Sequence, residues 1–292
     1  MLRAEIPEAA FTAGVLGTER IGSGIVIDGD GLVLTIGYLI AEAEAIWLTT
    51  NAGQVVPAHV VAYDFQSGLG LVQPLADLPA PAIERGTANE LGPGDDVLVI
   101  SHGGRGHALK ARVFARREFA GYWEYVLDEA LFTMPAHPEW GGAALVRMDG
   151  TLAGVGSLFV QEEVGGETVK GNMIVPVDLL EPIVEDLMQR GRRVGLPRPW
   201  LGIYAAEVQD RIVVTGLADA GPADKAGVKL GDVVTRVGAH KVHDLADFFR
   251  KVWRLGPAGT TIPLTLLRGG VAQSMRIESI DRADIMLRPR LQ

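Results

Sequence analysis

Short runs of apolar residues, separated by glycine-rich turns, fill most of the first 175 residues. Ile25–Ile27 and Leu32–Leu34 flank Asp28–Gly31, a strong turn signal, and this pattern predicts a β-hairpin. Further strand-length runs follow at Ala45–Thr50, Gln54–Tyr63, Asp96–Ser101, Lys110–Phe119, Trp123–Phe132, Gly150–Val160 and Thr168–Val175. Because six or more short strands fall in each half, with turns at short spacing, the pattern predicts a mainly β domain built as a double β-barrel.

Helical spacing of apolar residues appears at two places only. Pro176–Arg190 carries apolar residues at helical spacing and is followed by Gly191, which predicts a helix that closes the first domain. Asp244–Leu255 has the stripe Leu245, Phe248, Phe249 and Val252, which predicts an amphipathic helix in a second, α+β domain. The basic, proline-containing stretch at 191–199 is typical of a linker between the two.

Composition narrows the possible functions. A length of 292 residues suggests two domains, and the net charge of −9 argues against nucleic acid as a partner, because phosphate binding needs clustered Lys and Arg. The absence of cysteine excludes disulfides and thiol nucleophiles. No His-rich spacing indicates a metal, so neither a metal nor another cofactor is expected. We see no signal peptide or membrane helix, which predicts a cytoplasmic protein, or a periplasmic one if the chain is a mature or trimmed form.

The loop His137–Leu145, followed by the turn Met148–Gly150, resembles the nucleophile loop of the HtrA/DegP branch of chymotrypsin-fold serine proteases. In that family the loop reads roughly Asn-Pro-Gly-Asn-Ser-Gly-Gly-Ala-Leu. The matching positions are Pro138, Gly142, Ala144 and Leu145. The attacking serine of the family corresponds to Gly141, and a residue without a side chain cannot form an acyl-enzyme.

The other two triad positions of the family are also replaced. Tyr38 stands where the family has its histidine, and Gly68 stands where it has the aspartate that orients that histidine. A phenol with a pKa near ~10 is a poor base at neutral pH. Removing one triad member already costs roughly 10⁴ to 10⁶ in rate. Glu139 and Trp140 replace the small residues before the serine, and we hypothesise that Trp140 fills the former specificity pocket or oxyanion site; a Trp140 pointing to solvent would contradict this.

The second domain resembles a PDZ module of the bacterial, permuted kind. Trp200–Ile203 is similar to the carboxylate-binding loop x-Leu-Gly-Ile, and Gly221–Val234 is similar to the long motif Ser-Pro-Ala-x-x-Ala-Gly-Leu-x-x-Gly-Asp-x-Ile. The resemblance implies that a peptide adds a strand along Ile203–Ala206 while loop N–H groups hold its terminal carboxylate. The implied peptide-binding residues are Trp200, Leu201, Gly202, Ile203, Leu245, Phe248 and Phe249. The alternative is that Trp200 and Phe248 merely pack the domain.

These observations predict an N-terminal segment (1–20), a trypsin-like domain (21–190), a linker (191–199), a PDZ domain (200–280) and a tail (281–292). The expected function is that of a catalytically inactive HtrA-like pseudoprotease, which binds peptides or protein C-termini as a scaffold, adaptor or chaperone-like protein. By resemblance, the N-terminal segment could build a homotrimer, or the chain could pair with a paralogue; a partly ordered terminus is the alternative.

Two other functions stay open at this stage. One is an active endopeptidase or other hydrolase in protein quality control, with a new site formed by convergence of His137, Glu139, Tyr38 and His102. The other is a purely structural assembly subunit that binds no peptide.

Overall fold

The structure is a computed structural model that describes residues 1–164 and 166–287. The chain divides into two compact units. Unit 1 contains residues 1–118 and 128–194 together with Leu287, and unit 2 contains residues 119–127 and 195–286. Residues 288–292 of the predicted tail lie outside the described part of the chain. The prediction of a mainly β chain is confirmed.

The first half of unit 1 is a seven-stranded antiparallel sheet. Its strands are β1 (Leu2–Glu5), β2 (Glu19–Gly22), β3 (Ile25–Val26), β4 (Val33–Ile36), β5 (Ala45–Thr49), β6 (Val55–Tyr63) and β7 (Leu69–Pro74), in the order β2-β1-β5-β6-β7-β4-β3. The short helix α1 (Ala13–Leu16) follows β1, and a 3-10 turn (Gly37–Leu39) follows β4. The predicted hairpin is confirmed, because Ile25 of β3 pairs with Leu34 of β4.

The N-terminal segment is an integral part of this sheet. Strand β1 lies between β2 and β5, and its alternate residues Leu2 and Ala4 are fully buried. The amino group of Met1 donates to the Thr49 carbonyl at 2.8 Å. The alternative of a partly ordered terminus is therefore wrong for residues 1–5, since strand pairing on both sides satisfies their backbone groups.

The second half of unit 1 is a closed six-stranded barrel in the order β10-β13-β12-β11-β8-β9. Its strands are β8 (Asp96–Ile100), β9 (Ala108–Gly121), β10 (Tyr125–Met134), β11 (Ala144–Val146), β12 (Leu152–Val164) and β13 (Glu167–Pro176). A 3-10 turn (Gly104–His107) precedes β9. The barrel core holds fully buried Leu131, Leu145 and Ile174. Closure leaves no free strand edge among the barrel strands that the structure describes.

The predicted helix over Pro176–Arg190 is wrong in its first half. Pro176 still pairs with Gly154 as the last residue of β13, a 3-10 turn follows at Val177–Leu179, and the helix α2 covers only Val184–Arg190. The side chain of Asp178 holds this turn, since it accepts hydrogen bonds from the Thr87 hydroxyl and the Ala88 N–H. Tertiary hydrogen bonds therefore override the helical spacing of the apolar residues.

Unit 2 combines an antiparallel sheet with two helices. Its strands are β14 (Ile203–Val208), β15 (Arg211–Leu217), β16 (Val233–Val237), β17 (His240–Lys241), β18 (Thr261–Arg268) and β19 (Val271–Glu278), and its helices are α3 (Pro222–Lys225) and α4 (Leu245–Arg254). The sheet order is β14-β15-β16-β18-β19, with β17 paired to β16. The predicted amphipathic helix is confirmed as α4, whose residues Leu245, Phe248, Phe249 and Val252 are buried. Asp244 caps its N-terminus by accepting from the Asp247 N–H at 2.7 Å. Strand β14 therefore has a sheet neighbour on one side only.

Candidate functional site

Two of the three positions that the sequence predicts to correspond to a protease triad lie side by side. Tyr38 lies in the 3-10 turn after β4, and Gly141 lies in the loop before β11. A Cβ atom built on Gly141 would lie 3.1 Å from the Tyr38 hydroxyl oxygen. The phenol therefore borders the space that a serine side chain would use at position 141.

Gly68 lies in the turn before β7, and its backbone contacts the turn that carries Tyr38. Its carbonyl accepts a hydrogen bond from the Gly37 N–H at 2.7 Å, directly before Tyr38. Its φ of +79° lies in the left-handed region, which favours glycine. Glycine at position 68 thus allows the backbone to adopt this turn, and it has no carboxylate side chain.

The Tyr38 hydroxyl is held by a backbone carbonyl. It donates to the Ser157 carbonyl oxygen at 2.8 Å. Burial raises the pKa of Tyr38 above its ordinary value. The phenol therefore stays protonated at neutral pH and acts as a hydrogen-bond donor, not as a general base.

Replacing Tyr38 by phenylalanine is expected to lower the free energy of unfolding by about 1–2 kcal/mol, because the Ser157 carbonyl loses its hydrogen-bond donor at a buried position. Urea denaturation of the full chain measures this loss. The matched control is Tyr122→Phe, since the Tyr122 side chain is half exposed; its effect should stay within about 0.5 kcal/mol. Equal stability of the two variants would contradict a structural role for the Tyr38 hydroxyl.

Trp140 and Glu139, the residues just before Gly141, are also held by contacts with their neighbours. The Trp140 ring is half-buried and packs against Phe159, with ring centroids 5.6 Å apart. In chymotrypsin-fold proteases the oxyanion is held by the N–H of the nucleophile and the N–H two residues before it. Here the latter is the Glu139 N–H, which already donates to His137 Nδ1 at 3.0 Å.

Glu139 belongs to a polar cluster beside this loop. One carboxylate oxygen accepts from the Ser101 hydroxyl at 2.6 Å and lies 2.8 Å from His107 Nδ1. The hydrogen bonds from Ser101 and His107 lower the pKa of Glu139 to about 2. His137 Nε2 lies 3.0 Å from the His107 carbonyl oxygen. The structure thus brings Glu139 and His137 together, whereas the Tyr38 hydroxyl bonds elsewhere.

His102 completes the set of residues whose convergence the sequence left open. Its Nδ1 lies 3.4 Å from the Ser23 hydroxyl, and its backbone N–H donates to that same oxygen at 3.1 Å. Ser23 is almost fully buried, which is a poor position for a nucleophile that must reach a substrate. Within residues 1–164 and 166–287 no group of three or more His, Asp or Glu side chains could hold a metal ion.

In unit 2, the predicted carboxylate-binding loop already binds a carboxylate. The Leu201 N–H lies 3.1 and 3.2 Å from the two carboxylate oxygens of Glu124, and the Ile203 N–H donates to one of them at 3.0 Å. Gly202 has a φ of +73°, a conformation that turns successive N–H groups toward one point and favours glycine. The loop geometry therefore suits an anionic oxygen pair.

The other predicted peptide-binding residues lie in the core of unit 2. Leu245, Phe248 and Phe249 of α4 are buried in one apolar cluster, which also contains Val126. Trp200 is buried, its backbone pairs with Ile280, and its ring packs close to Gly202. The Trp200 ring thus packs against the Leu201–Ile203 loop at Gly202.

Sequence reasoning did not identify Glu124 or Tyr122 as part of this groove. Both lie in the turn between β9 and β10, some 80 residues before the loop that they contact. Only the tertiary fold brings them there, and no local motif indicates such a contact.

Two segments of the chain each match a known domain family. Residues 22–155 match the family described as a trypsin-like peptidase domain, and residues 199–278 match the PDZ domain family. A similar curated protein is the "Probable periplasmic serine endoprotease DegP-like" of Pseudomonas fulva (strain 12-X), 24% identical over 93% of this chain and 59% of that protein. Another is "Serine endoprotease DegS" of Haemophilus influenzae, 24% identical over 87% of this chain and 75% of that protein. The chain thus spans about three fifths of the length of the DegP-like relative.

Solved structures give the same fold. The structure titled "HtrA-type protease AlgW with decapeptide" superimposes with a TM-score of 0.57 at 22% identity, covering 89% of this chain and 82% of that one. A serine endoprotease from Yersinia pestis gives a TM-score of 0.53 over 96% of this chain and 92% of that one, at 22% identity. The predicted fold class, a trypsin-like domain followed by a PDZ domain, is confirmed. No helix in the described residues is long and apolar enough to span a membrane.

Proposed function

Because the chain is HtrA-like, with a trypsin-like peptidase domain followed by a PDZ domain, we propose that it is a pseudoprotease that binds peptides or protein C-termini. In this proposal its trypsin-like domain has no proteolytic activity. The PDZ groove carries the function, as part of a scaffold, adaptor or chaperone-like protein in protein quality control.

The arrangement at Gly141 is the observation that carries the proposal. A protease of this fold needs a nucleophile at this position and a base beside it. Here the neighbour is the protonated phenol of Tyr38, already committed to the Ser157 carbonyl. Gly68 supplies no acid, and the Glu139 N–H is already used by His137. Nucleophile, base, orienting acid and part of the oxyanion hole are thus missing together.

The PDZ part of the proposal rests on the Leu201–Ile203 loop and the edge strand β14. Two loop N–H groups converge on one carboxylate, as recognition of a C-terminus requires. The apolar residues Leu245, Phe248 and Phe249 lie in the cluster beneath, which suits a hydrophobic last side chain. A negatively charged chain with such a groove fits a peptide partner and not nucleic acid.

Neither the wild-type chain nor Gly141→Ser should react with a fluorophosphonate probe or turn over casein. The serine introduced at 141 would face the Tyr38 phenol, which cannot take its proton at neutral pH. An active HtrA-type protease, labelled in parallel, is the positive control. Labelling of the wild type that one Ser→Ala change abolishes would overturn the proposal and favour a hydrolase with a different nucleophile.

Self-association, as a homotrimer or with a paralogue, is also part of the proposal. The exposed apolar side chains Val15 and Leu16 on α1 support it, because neighbouring exposed aliphatic residues often mark a contact surface. Light scattering of the full chain measures its mass in solution.

A further inference from the structure

The turn between β9 and β10 places a carboxylate deep in unit 2. Glu124 is buried and has a φ of +61°, in the left-handed region that non-glycine residues seldom occupy. Its oxygens accept from the N–H groups of Leu201 and Ile203, the loop that is expected to hold a peptide C-terminus. A side chain thus takes the place of a terminal carboxylate.

The backbone of the same turn also meets the sheet edge. The Ala205 N–H donates to the Tyr122 carbonyl at 3.1 Å, on the side of β14 that has no strand neighbour in the sheet order. The rings of Tyr122 and Tyr204 meet edge to face, with centroids 6.0 Å apart. Arg282 donates to the Trp123 carbonyl at 3.4 Å. The turn therefore uses the N–H that a bound peptide strand would need.

Apolar side chains on either side of the turn complete the contact. Val126 is buried within the core cluster of unit 2, and Ala120 packs against that cluster. Phe248 and Phe249 belong to the same cluster. Residues 119–127 thus supply a carboxylate, a backbone acceptor and apolar side chains to one groove.

We propose that residues 119–127 are an internal ligand of the PDZ groove, in which the Glu124 carboxylate occupies the site of a peptide C-terminus. An external peptide then binds only when this turn leaves the groove. The competition follows from the contacts, since the same N–H groups cannot serve two carboxylates. The inference rests on the proposed function for the part that concerns external peptides, and the contact itself is testable without them.

The contact is also sensitive to pH. Burial raises the pKa of Glu124 to about 7, against the opposing effects of the backbone hydrogen bonds and of Arg282. Burial raises the pKa of Tyr204, which faces Glu124, so this phenol stays neutral where Glu124 titrates. The side chains of Tyr122 and Arg282 are the other titratable groups near Tyr204 and Glu124. A carboxyl with a raised pKa stabilises the docked turn fully below the ordinary Glu pKa of about 4.3 and loses this effect as pH rises through about 7.

Amide hydrogen exchange tests the contact directly. In Glu124→Ala, exchange at the Leu201 and Ile203 N–H groups should become at least about tenfold faster than in the wild type, because both lose their acceptor. The charge-matched control is Glu278→Ala, an exposed change on β19 that should leave both rates unchanged. Unchanged rates in a folded Glu124→Ala protein would overturn the inference.

Peptide binding tests the competition. The probes are fluorescein-labelled decapeptides ending in Val, Leu, Ile or Phe with free carboxylates, and the same peptides as C-terminal amides. If the turn fills the groove nine-tenths of the time, Glu124→Ala should bind the free-carboxylate probes about tenfold more tightly than the wild type or Glu278→Ala. Equal affinity would overturn the inference and leave the proposed function intact. Faster exchange with no peptide bound would support the internal ligand and contradict the proposed function.

A pH series separates competition from a general loss of stability. Between pH 5.5 and 8 the wild type should bind the free-carboxylate probes more tightly as pH rises, by up to about tenfold, because the docked turn weakens while the peptide carboxylate stays ionised. Glu124→Gln keeps the shape of the side chain without its titration, so its affinity should stay constant. A pH profile shared by both proteins would contradict the role of Glu124.

Discussion

Replacing Arg20 by methionine is expected to lower the free energy of unfolding by about 3–5 kcal/mol, one of the largest single-residue effects in the chain. Arg20 lies on β2 and is almost fully buried. Its guanidinium donates to the Tyr38 carbonyl at 2.7 Å, to the Ala41 carbonyl at 3.0 Å and to the Thr12 hydroxyl at 2.7 Å. Arg20 therefore fixes the turn that carries Tyr38.

The size of this effect follows from what Arg20 leaves behind. Glu42 is also buried and accepts from the Thr12 N–H at 2.7 Å and the Thr12 hydroxyl at 2.6 Å. Without the cation, two carbonyls and the Thr12 hydroxyl lose a donor, and Glu42, which shares Thr12 with Arg20, loses the attraction of a nearby positive charge. Several buried polar groups left without a partner at once cost far more than one lost surface contact.

Arg3→Met is the matched control for this experiment. Arg3 lies on the neighbouring strand β1 and pairs with Glu5 and Glu19 at the surface, so its loss should cost at most about 1 kcal/mol. Urea denaturation of the two full-length variants compares them at equal m-value. If both lose the same stability, the buried cluster around Arg20 does not organise the Tyr38 turn.

The strands that could be predicted from the sequence are those whose signal is local. The hairpin of Ile25 and Leu34 has a turn motif between two apolar runs, so the pattern alone predicts its pairing. Strand β1 has no such signal. Its four residues gain strand structure from pairing with β2 on one side and, on the other, with β5, whose residues lie 40 or more positions later in the chain. A strand of four residues is too short to show a recognisable alternation of apolar and polar residues, so its pairing with distant segments could not be predicted.

The candidate site also has parts that could be predicted from local sequence and parts that could not. The motif around Gly141 and the loop at Leu201–Ile203 are recognisable because chain geometry demands glycine and small residues at fixed spacing. The hydrogen bond from Tyr38 to Ser157 and the contact of Glu124 with the loop join residues that are far apart in the chain. Such contacts can be seen only in the tertiary structure, because no local sequence pattern indicates them.

Gly142→Ala is the second change with a large expected effect, about 3–5 kcal/mol of stability lost. Gly142 directly follows Gly141 and has a φ of +75°. An added Cβ would lie 2.1 Å from the Ser23 carbonyl oxygen and 2.6 Å from the Thr35 hydroxyl oxygen. Ser23 O already accepts a hydrogen bond from that hydroxyl at 2.8 Å, so neither atom can move away freely.

Gly150→Ala separates the two causes of this loss. Gly150 also has a positive φ, +92°, but a Cβ there would meet nothing within 4 Å. Its substitution should therefore cost only the backbone strain, about 1–2 kcal/mol. Thermal and urea unfolding of the two variants should differ by about 2 kcal/mol or more, which is the steric part. Equal losses would mean that the loop at Gly142 adjusts easily to the added methyl group, whereas the expected difference would mean that close packing fixes the shape of this loop.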